Sequence, residues 1–436
     1  MTTLAERAQD EPGARRAVRL MVILEGITLL LAAPWLLFPD LLPAATVAAL
    51  LALALVWLLA LALDRAALPR TPFNLALLPL VITLGVGILV SADPADSLPK
   101  ATGVVLGLAV WRFIAIAVNS RRHVAVAVGL LLVICLGFSL TGVLNLRDLP
   151  KIPVLAAANP FRNLALPGVE QLTTHPNQLA ALIAFFLPLL VALLVAPPRP
   201  GGRLWRVVLA AVTLVVVGIL ALTQSRGGWI AGAVGLFALL ALWAAILPPS
   251  PRRRALRLAI ALVLLAALAG VLWVGPGTLW ELWLNPPEET AVGTLWTLGV
   301  RRQIWPWAVT AIGDFPFTGV GLGAFRHVVF RLYPLPPWPD YDVGHAHNIF
   351  LQTALDTGLP GLVAYVAVLF VAAAVGWRVA RRDPGLRAVS LGLLAGLVAL
   401  HVFGLADALV LGAKAALVFW FALGLLAAMN KEGLQR

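Results

Sequence analysis

Long apolar stretches alternate with short charged or Pro/Gly-rich connections along this chain. Each stretch is close to the roughly 20 residues that an α-helix needs to cross about 30 Å of hydrocarbon. Because only helices and closed barrels satisfy their backbone groups in lipid, the pattern predicts an all-α polytopic integral membrane protein, with residues 1–436 forming a single transmembrane domain. We expect about twelve transmembrane helices, at 18–38, 42–63, 74–91, 101–118, 124–143, 178–196, 205–223, 228–247, 256–275, 348–376, 387–406 and 411–429.

Composition and charge agree with this class and exclude others. Of the 436 residues, 61% are hydrophobic and only 12% are charged, yet the formal net charge is +12. Most Lys and Arg fall in alternate short connections, such as 252–254, so the positive-inside rule predicts that these connections and both termini are cytoplasmic. The positive charge therefore indicates topology and not nucleic-acid binding. The single cysteine, Cys135, gives no sign of disulfides, a metal cluster or thiol chemistry.

Two long connections are predicted to lie outside, at about 144–177 and 276–347, the second between helices nine and ten. The second is rich in Trp and Pro, which fits either an interfacial aromatic belt or a functional surface. Its stretch 301–312 predicts a short amphipathic helix along the membrane interface. The apolar face of that helix would carry Trp305, Ala308, Val309 and Ile312.

Few basic residues lie on the predicted outer side, so each raises the question of which anion it meets. Arg226 follows Ser225 and precedes two glycines at the start of an apolar helix, where free N–H groups and the helix dipole favour a phosphate. Snorkelling of the arginine to lipid headgroups is the alternative. Arg301 and Arg302 admit the same two interpretations.

Two histidines, His345 and His347, lie directly before an apolar helix. A neutral imidazole suits general-base work near pH 7. Metal binding and a structural role are the alternatives; the only close acidic partners are Asp340 and Asp342, and we predict no metal ion. His175, before Asn177, is predicted to be a loop or cap residue.

Charged residues also fall in or near predicted spans. Glu25 and Arg112 would each be expensive alone in lipid, and an ion pair between them is one hypothesis. His401 and Asp407, in or near the eleventh span, are interpreted as pairing with polar neighbours. The sequence has no Walker loop, Rossmann fingerprint, nucleophile elbow or zinc-protease motif.

Six short motifs follow one another in a characteristic order. They are THPNQLA at 174–180, LTQSRGG at 222–228, RRQIW at 301–305, DFPFTGVGLGAF at 314–325, HAHNIFL at 345–351 and GLPG at 358–361. In this order and spacing they resemble the O-antigen ligase and O-antigen polymerase superfamily of bacterial envelope glycan proteins. The residues that fit the family pattern are Arg301, Trp305, Pro316, Gly319, Gly321, His347 and Asn348; Arg302 departs from it by doubling the arginine.

The resemblance implies a GT-C-like, inverting glycosyltransferase of the bacterial inner membrane, needing neither cofactor nor metal. The donor would be a glycan on undecaprenyl pyrophosphate. The acceptor would be a hydroxyl of a second glycan, a lipid A core or a protein, at the periplasmic face. The activity would be that of an O-antigen ligase in lipopolysaccharide biosynthesis, or of a polymerase. We expect contacts with membrane lipids, no nucleic-acid partner and a monomer.

The resemblance also implies roles for individual residues. His347 would be the general base, and Arg226 and Arg301 would clamp the pyrophosphate. Substrate contacts are expected from a further set: Arg302, His345, Asn348, Ser225, Asn177 and Trp305. The sequence leaves open which of Arg301 and Arg302, and which of His345 and His347, is primary.

A polytopic transporter or flippase of lipid-linked glycans is the alternative. Such transporters usually show two related halves and polar groups near the bilayer midplane, whereas here the longest connection is external. A cell-wall polymerase of the shape, elongation and division type shares the lipid donor, but its metal-assisted carboxylate signature is not apparent. A structural scaffold would predict that no single polar residue matters.

Overall fold

The computed structural model of the protein describes residues 12–64, 69–143, 146, 152–160, 175–196, 203–285, 296–333, 343–409 and 411–431. Its long elements are helices, which confirms the predicted all-α polytopic class. In chain order they are α1 (Pro12–Leu37), α2 (Pro43–Asp64), α3 (Asn74–Leu89), α4 (Pro94–Ala117), α5 (Arg121–Val143), α6 (Pro153–Ala157), α7 (Pro176–Val195), α8 (Arg203–Leu222), α9 (Arg226–Ile246), α10 (Pro251–Val274), α11 (Pro276–Leu284), α12 (Trp296–Asp314), α13 (Phe325–Leu332), α14 (Ile349–Arg382), α15 (Arg387–Gly404) and α16 (Leu417–Met429).

The number of membrane spans is the part of the fold that the structure leaves as a prediction. In the described part of the chain, ten helices are long and apolar enough to cross a membrane. The predicted third and twelfth spans correspond to α3 and α16, which are apolar but have only 16 and 13 residues. The chain is therefore a multi-pass membrane protein, and the count of twelve stays a prediction.

The helices differ strongly in how deeply they lie in the bundle. In the most apolar 18-residue stretch of α7 and of α15, 78% of the residues are buried inside the protein, whereas in α10 none are. After Arg257 the side chains of α10 are apolar, so in a membrane they contact lipid. The centre of the bundle is thus built around α7 and α15, and α10 lies at its edge.

Side-chain caps begin three helices that carry or support the predicted site. The side chain of Asp93 accepts hydrogen bonds from two backbone N–H groups in the first turn of α4. Ser225 accepts one from Gly228 in α9, and Asn348 accepts two in the first turn of α14. Each cap satisfies N–H groups that have no partner within the helix. These polar residues therefore fix where α4, α9 and α14 begin.

The long helix α14 is broken at Gly358, whose φ of 71° lies in the left-handed region that favours glycine. The break allows a segment before α13 to insert beside it. The backbone N–H of Leu359 donates to the carbonyl of Pro316 at 2.7 Å, and that of Val320 donates to the carbonyl of Leu355 at 2.7 Å. These bonds satisfy backbone groups that the interrupted helix would leave without partners.

The inserted stretch, residues 315–324, is called the glycine segment below. Gly319 and Gly321 have φ values of 68° and 105°, and a methyl group on either would clash with the backbone of Leu355 or of Ser91. The motif that the sequence shares with the envelope glycan family is thus a close-packed turn between α3 and α14. Only glycine permits both the backbone conformation and the approach.

Separate contacts hold the two ends of the bundle. At one end the backbone N–H of Leu322 donates to the carbonyl of Gly87 at 2.8 Å. At the other, Arg121 pairs with Asp383 at 2.9 Å. The first, called the site end, joins the predicted external connections. The second, called the arginine-rich end, joins the connections that carry most of the arginines.

The predicted amphipathic helix in the long connection is longer than expected, and part of its predicted face is wrong. It corresponds to α12, which begins at Trp296 and ends at Asp314. The buried positions are Val300, Ile304, Trp307, Ala308 and Ala311, whereas Val309 is 58% exposed. The predicted face was rotated because the sequence alone does not show that α12 packs on the glycine segment and on α14.

An ion pair joins α1 to α4 within the bundle. Arg112 donates from Nη1 to Oε1 of Glu25, and both side chains are almost fully buried. This confirms the hypothesis that the two charges pair. A lone charge in this position would face an apolar environment, so each residue compensates the buried charge of the other.

We expect Glu25→Ala to lower the free energy of unfolding by about 3–5 kcal/mol, because it leaves Arg112 buried without its carboxylate. Thermal or denaturant unfolding of the protein in detergent measures this. The double variant Glu25→Leu with Arg112→Leu should recover most of the stability, since neither charge then remains. A single variant as stable as the unchanged protein would contradict this account of the pair.

Candidate active site

The site end brings a histidine and an aspartate from distant parts of the chain together. His347 lies in the turn before α14, and its Nδ1 is 3.2 Å from Oδ1 of Asp407, in the connection between α15 and α16. Both side chains are partly accessible, at 26% and 12% of their full exposure. A carboxylate at this position can fix the orientation of an imidazole and which of its nitrogens carries the proton.

Asp407 is itself held by neighbours on two elements. Asn177, at the start of α7, donates from Nδ2 to Oδ2 at 3.1 Å, and the backbone N–H of Ala408 donates to Oδ1 at 2.9 Å. Burial alone would raise the pKa of Asp407, but the hydrogen bond from His347, the charges of both histidines and the bond from Ala408 outweigh it and lower the pKa to about 2. The carboxylate is therefore ionised at neutral pH.

His345 packs against His347, with 4.2 Å between the ring centroids. Its Nδ1 accepts the backbone N–H of His347 at 3.2 Å, and its Nε2 lies 3.7 Å from Asp407. Burial lowers the pKa of His345 to about 4; the charge of His347 and, more weakly, of Lys100 and Arg301 act in the same direction. His345 is thus neutral at pH 7, and both of its ring nitrogens face protein groups.

The turn that carries the two histidines is tightly fixed. His347 has a φ of 48°, which is uncommon for a residue other than glycine and indicates a conformation imposed by its surroundings. The backbone N–H of Ala346 donates to Oε1 of Gln352 at 2.8 Å, and Nε1 of Trp305 donates to the carbonyl of Ala346 at 3.1 Å. Asn348 caps α14 and also donates to the carbonyl of Leu405 at 3.1 Å.

The structure separates the two adjacent arginines of α12. Arg301 donates from Nε to the carbonyl of Ala406, next to Asp407. Arg302 is exposed, and within the described residues no hydrogen bond or ion pair is recorded for it. Residues next to each other on a helix point about 100° apart, so only one of the two can face the connection that carries Asp407.

Arg226 is the first residue of α9 at the same end of the bundle. The hydroxyl of Ser225 caps the helix by accepting the N–H of Gly228 at 3.3 Å. A methyl group on Gly227 would lie 3.6 Å from the ring of Phe403, near the end of α15. The Arg226 turn is therefore packed against the helix that leads into the Asp407 connection.

The predicted site residues thus fall into groups. The structure brings His345, His347, Asn177 and Arg301 to the connection that carries Asp407. Asn348, Ser225 and Trp305 hold backbone at its border and therefore have structural contacts of their own. Arg302 is not brought to the site. His175 accepts the N–H of Asn177 and caps α7, as predicted.

The sequence assigned no catalytic or binding role to two residues of the site. Asp407 was expected only to pair with polar neighbours, yet it is the group that joins α7, the histidines and the connection after α15. Lys100, on α4, donates to the carbonyl of Gly323 at 3.2 Å. The sequence shows only that each of these charged residues lies at the end of an apolar span. That position does not reveal which residues it contacts.

The histidine pair and Asp407 also form a possible set of metal ligands. One donor atom from each lies within 4.8 Å of the others. The acidic residues that the sequence suggested as partners, Asp340 and Asp342, lie outside the described residues. The carboxylate near the histidines is instead Asp407, far along the chain.

Comparison with known proteins finds a family model that matches part of this chain. Residues 211–366 match the family model described as O-antigen ligase. This segment is similar to the O-antigen ligase family. It covers a little over a third of the chain and includes Arg226, Arg301, His345 and His347. A search of curated proteins found no match.

The match to the O-antigen ligase model supports a glycan-transferring enzyme of envelope polysaccharide synthesis. The site includes residues beyond the matched segment. Asn177 and Asp407 both lie outside 211–366, although Asn177 contacts Asp407 and Asp407 contacts His347. The site is therefore completed by residues before and after the matched segment.

The neutral state of His345 has a consequence for stability. Its pKa is near 6.5 in an unfolded chain and about 4 in the folded protein, so between these values the unfolded chain binds more protons. Stability that is present above pH 6.5 is expected to fall as the pH is lowered through this window. Between pH 7 and pH 4.5, the melting temperature in detergent should fall less steeply for His345→Gln than for the unchanged protein. Identical slopes for both proteins would contradict the assignment.

Proposed function

We propose that the protein transfers a glycan from an undecaprenyl-pyrophosphate carrier to an acceptor hydroxyl, with inversion at the anomeric carbon. The observation that carries the proposal is the contact of His347 with the ionised Asp407, because it prepares a base within a segment of the O-antigen ligase family. The product would be a glycan joined to a lipid A core, to a second repeat unit or to a protein, and the released product would be the lipid pyrophosphate.

The contacts favour His347 over His345 as the base. If Nδ1–H of His347 donates a hydrogen bond to Asp407, then Nε2 keeps a lone pair that can accept a proton from the acceptor hydroxyl. In His345, Nδ1 already accepts a backbone N–H and Nε2 faces Asp407. His345 therefore supports the turn, and His347 is the histidine available to substrate.

The bonds change in one displacement. The acceptor oxygen bonds to the anomeric carbon while the bond from that carbon to the pyrophosphate oxygen breaks, and its electron pair goes to the pyrophosphate. The acceptor proton passes to His347 and then to solvent. Negative charge grows on the pyrophosphate, where Arg301 and Arg226 would stabilise it by charge-assisted hydrogen bonds. This mechanism uses no metal ion at the reacting groups.

The orientation is part of the proposal. The arginine-rich end of the bundle fits the cytoplasmic side, with both termini there, by the positive-inside rule. The site end then faces the outside of the inner membrane, where a carrier already moved across the membrane would present its glycan. The charged groups that meet at Asp407 lie at the helix ends, which favours this enzyme over a transporter with its polar groups near the midplane.

The two adjacent arginines give a direct test of the pyrophosphate assignment. Arg301→Ala should lower kcat for transfer roughly 10²–10³-fold, as expected when a group that stabilises transition-state charge is removed. Arg302→Ala removes the same charge from the next position and should change kcat less than about threefold, since its side chain lies in the solvent. Transfer from a lipid-linked glycan to an acceptor in detergent measures both. Equal losses, or the reverse order, would contradict the assignment.

A further inference from the structure

Three further side chains converge at the site end, away from the histidine pair. Asp93 and Asp96 lie at the start of α4, and His327 lies in α13. Nε2 of His327 is 3.1 Å from Oδ2 of Asp96 and 3.3 Å from Oδ2 of Asp93. One donor atom from each of the three residues lies within 4.8 Å of the others. The group is called the Asp–Asp–His cluster below.

The hydrogen bonds around this cluster leave an excess of acceptors. Asp93 uses Oδ1 to cap α4, accepting the N–H groups of Ala95 at 3.1 Å and Asp96 at 3.2 Å, so its Oδ2 remains directed at His327. Nε2 of a histidine carries at most one hydrogen. It can therefore donate to only one of the two carboxylate oxygens at full strength, and the other keeps its lone pairs beside a second negative charge.

The two distances from His327 to the carboxylates fit the spacing of ligands around a zinc ion. Zinc binds His nitrogen and carboxylate oxygen at about 2.0–2.1 Å in a tetrahedron, which sets neighbouring ligand atoms about 3.3 Å apart. The two distances from Nε2 are 3.1 and 3.3 Å. Calcium and magnesium prefer oxygen ligands alone, so the histidine favours zinc. The side chains are about one-third exposed, which gives an ion and a fourth ligand, water, access from solvent.

Arg326 is the other cation near the cluster. Its Nη1 lies 3.7 Å from Oδ2 of Asp96, farther than His327 lies from either carboxylate. The arginine therefore offsets part of the negative charge of Asp96.

We propose that Asp93, Asp96 and His327 bind a zinc ion that fastens α13 to the start of α4. The neighbouring contacts show which part of the protein the ion would stabilise. The hydroxyl of Ser97 donates to the carbonyl of Leu322 at 2.6 Å, so the glycine segment already docks on α4 beside the cluster.

From there a chain of hydrogen bonds leads to the active site. The N–H of Gly323 donates to Asp356 at 2.9 Å, and Gln352 joins Asp356 to the backbone of Ala346, next to His347. The zinc ion would thus stabilise the packing that orients the base, without touching the reacting groups. The proposal does not depend on the transferred substrate.

Zinc binding to the full-length protein tests the proposal. The protein, without an affinity tag, is treated with EDTA, freed of chelator in detergent and titrated with zinc chloride in a calorimeter. We expect one ion per chain with a Kd of about 1 μM or lower, and a higher melting temperature with zinc. His327→Gln and Asp96→Asn should each weaken binding at least about tenfold, as losing a ligand costs no less than losing its supporting groups, and should abolish the shift in melting temperature.

The histidine pair provides the control, because it is the second possible ligand set at this end of the bundle. His347→Asn and Asp407→Asn should bind zinc as the unchanged protein does. If zinc binding were lost in these variants and kept in His327→Gln, the ion would belong to the histidine pair and the proposal would be overturned. It would also be overturned if the unchanged protein bound no zinc below about 100 μM. Melting temperatures of the zinc-free proteins show whether each variant is folded.

Discussion

Replacing His347 with asparagine is expected to lower kcat for glycan transfer roughly 10²–10⁴-fold, the usual contribution of general-base catalysis. Asparagine is chosen because it tolerates the left-handed backbone that His347 adopts, with φ of 48°. The variant should therefore keep the turn and lose only the imidazole. KM for the lipid-linked donor should change less than kcat, since the arginines assigned to the pyrophosphate remain.

A histidine at the opposite end of the bundle serves as the matched control. His123 is exposed near the start of α5, at the arginine-rich end, and His123→Asn should leave kcat within about twofold, as for a surface substitution far from the site. Transfer at an unchanged rate in the His347 variant, at equal amounts of folded protein, would remove His347 from the mechanism. A melting temperature far below that of the unchanged protein would call for a comparison with His347→Gln before the rates are interpreted.

Replacing Asp407 with asparagine is the second large effect that we expect. In the proposed mechanism the carboxylate accepts a hydrogen bond from Nδ1–H of His347, which leaves Nε2 free to act as the base. An amide in its place can donate to Nδ1 and stabilise the tautomer that carries the proton on Nε2, so the base loses its lone pair. The same exchange in a serine protease triad lowers kcat about 10⁴-fold; we expect a loss of roughly 10³–10⁴-fold here.

The effects on kcat and on KM distinguish a catalytic role of Asp407 from simple unfolding of the variant. Asp407→Asn should lower kcat while KM for the donor stays within a few-fold, because the carboxylate acts through His347 and does not contact the pyrophosphate in our account. Asn177→Ala loosens Asp407 without removing its charge, so its loss should be smaller. If both variants kept normal kcat, Asp407 would have only a structural role.

The helices themselves were largely predictable, because apolar stretches of about 20 residues can satisfy their backbone groups in lipid in few other ways. The start of α14 was predictable too, since Asn348 precedes the apolar stretch as a typical N-cap. The break at Gly358 was not, because it depends on the glycine segment packing beside the helix. For the same reason the buried face of α12 differs from the predicted one at Val309.

The site shows the same division between local and distant information. The sequence pointed to His347 and Arg301 through short motifs with chemically active side chains. It did not point to Asp407, because the contact joins residues 60 positions apart through the packing of α14 and α15. The choice between Arg301 and Arg302 likewise needs the rotation of α12, which puts one beside Ala406 and the other in solvent.

The chemical fate of the lipid-linked glycan tests the central claim most directly. The purified protein is placed in lipid vesicles with a glycan on undecaprenyl pyrophosphate and an acceptor that bears a free hydroxyl, and the products are separated and their anomeric linkage is determined. Our account predicts that lipid pyrophosphate is released in equal amount to a glycan bound to the acceptor, with the opposite anomeric configuration. An intact lipid-linked glycan that has only moved to the other leaflet, or a product with retained configuration, would contradict it.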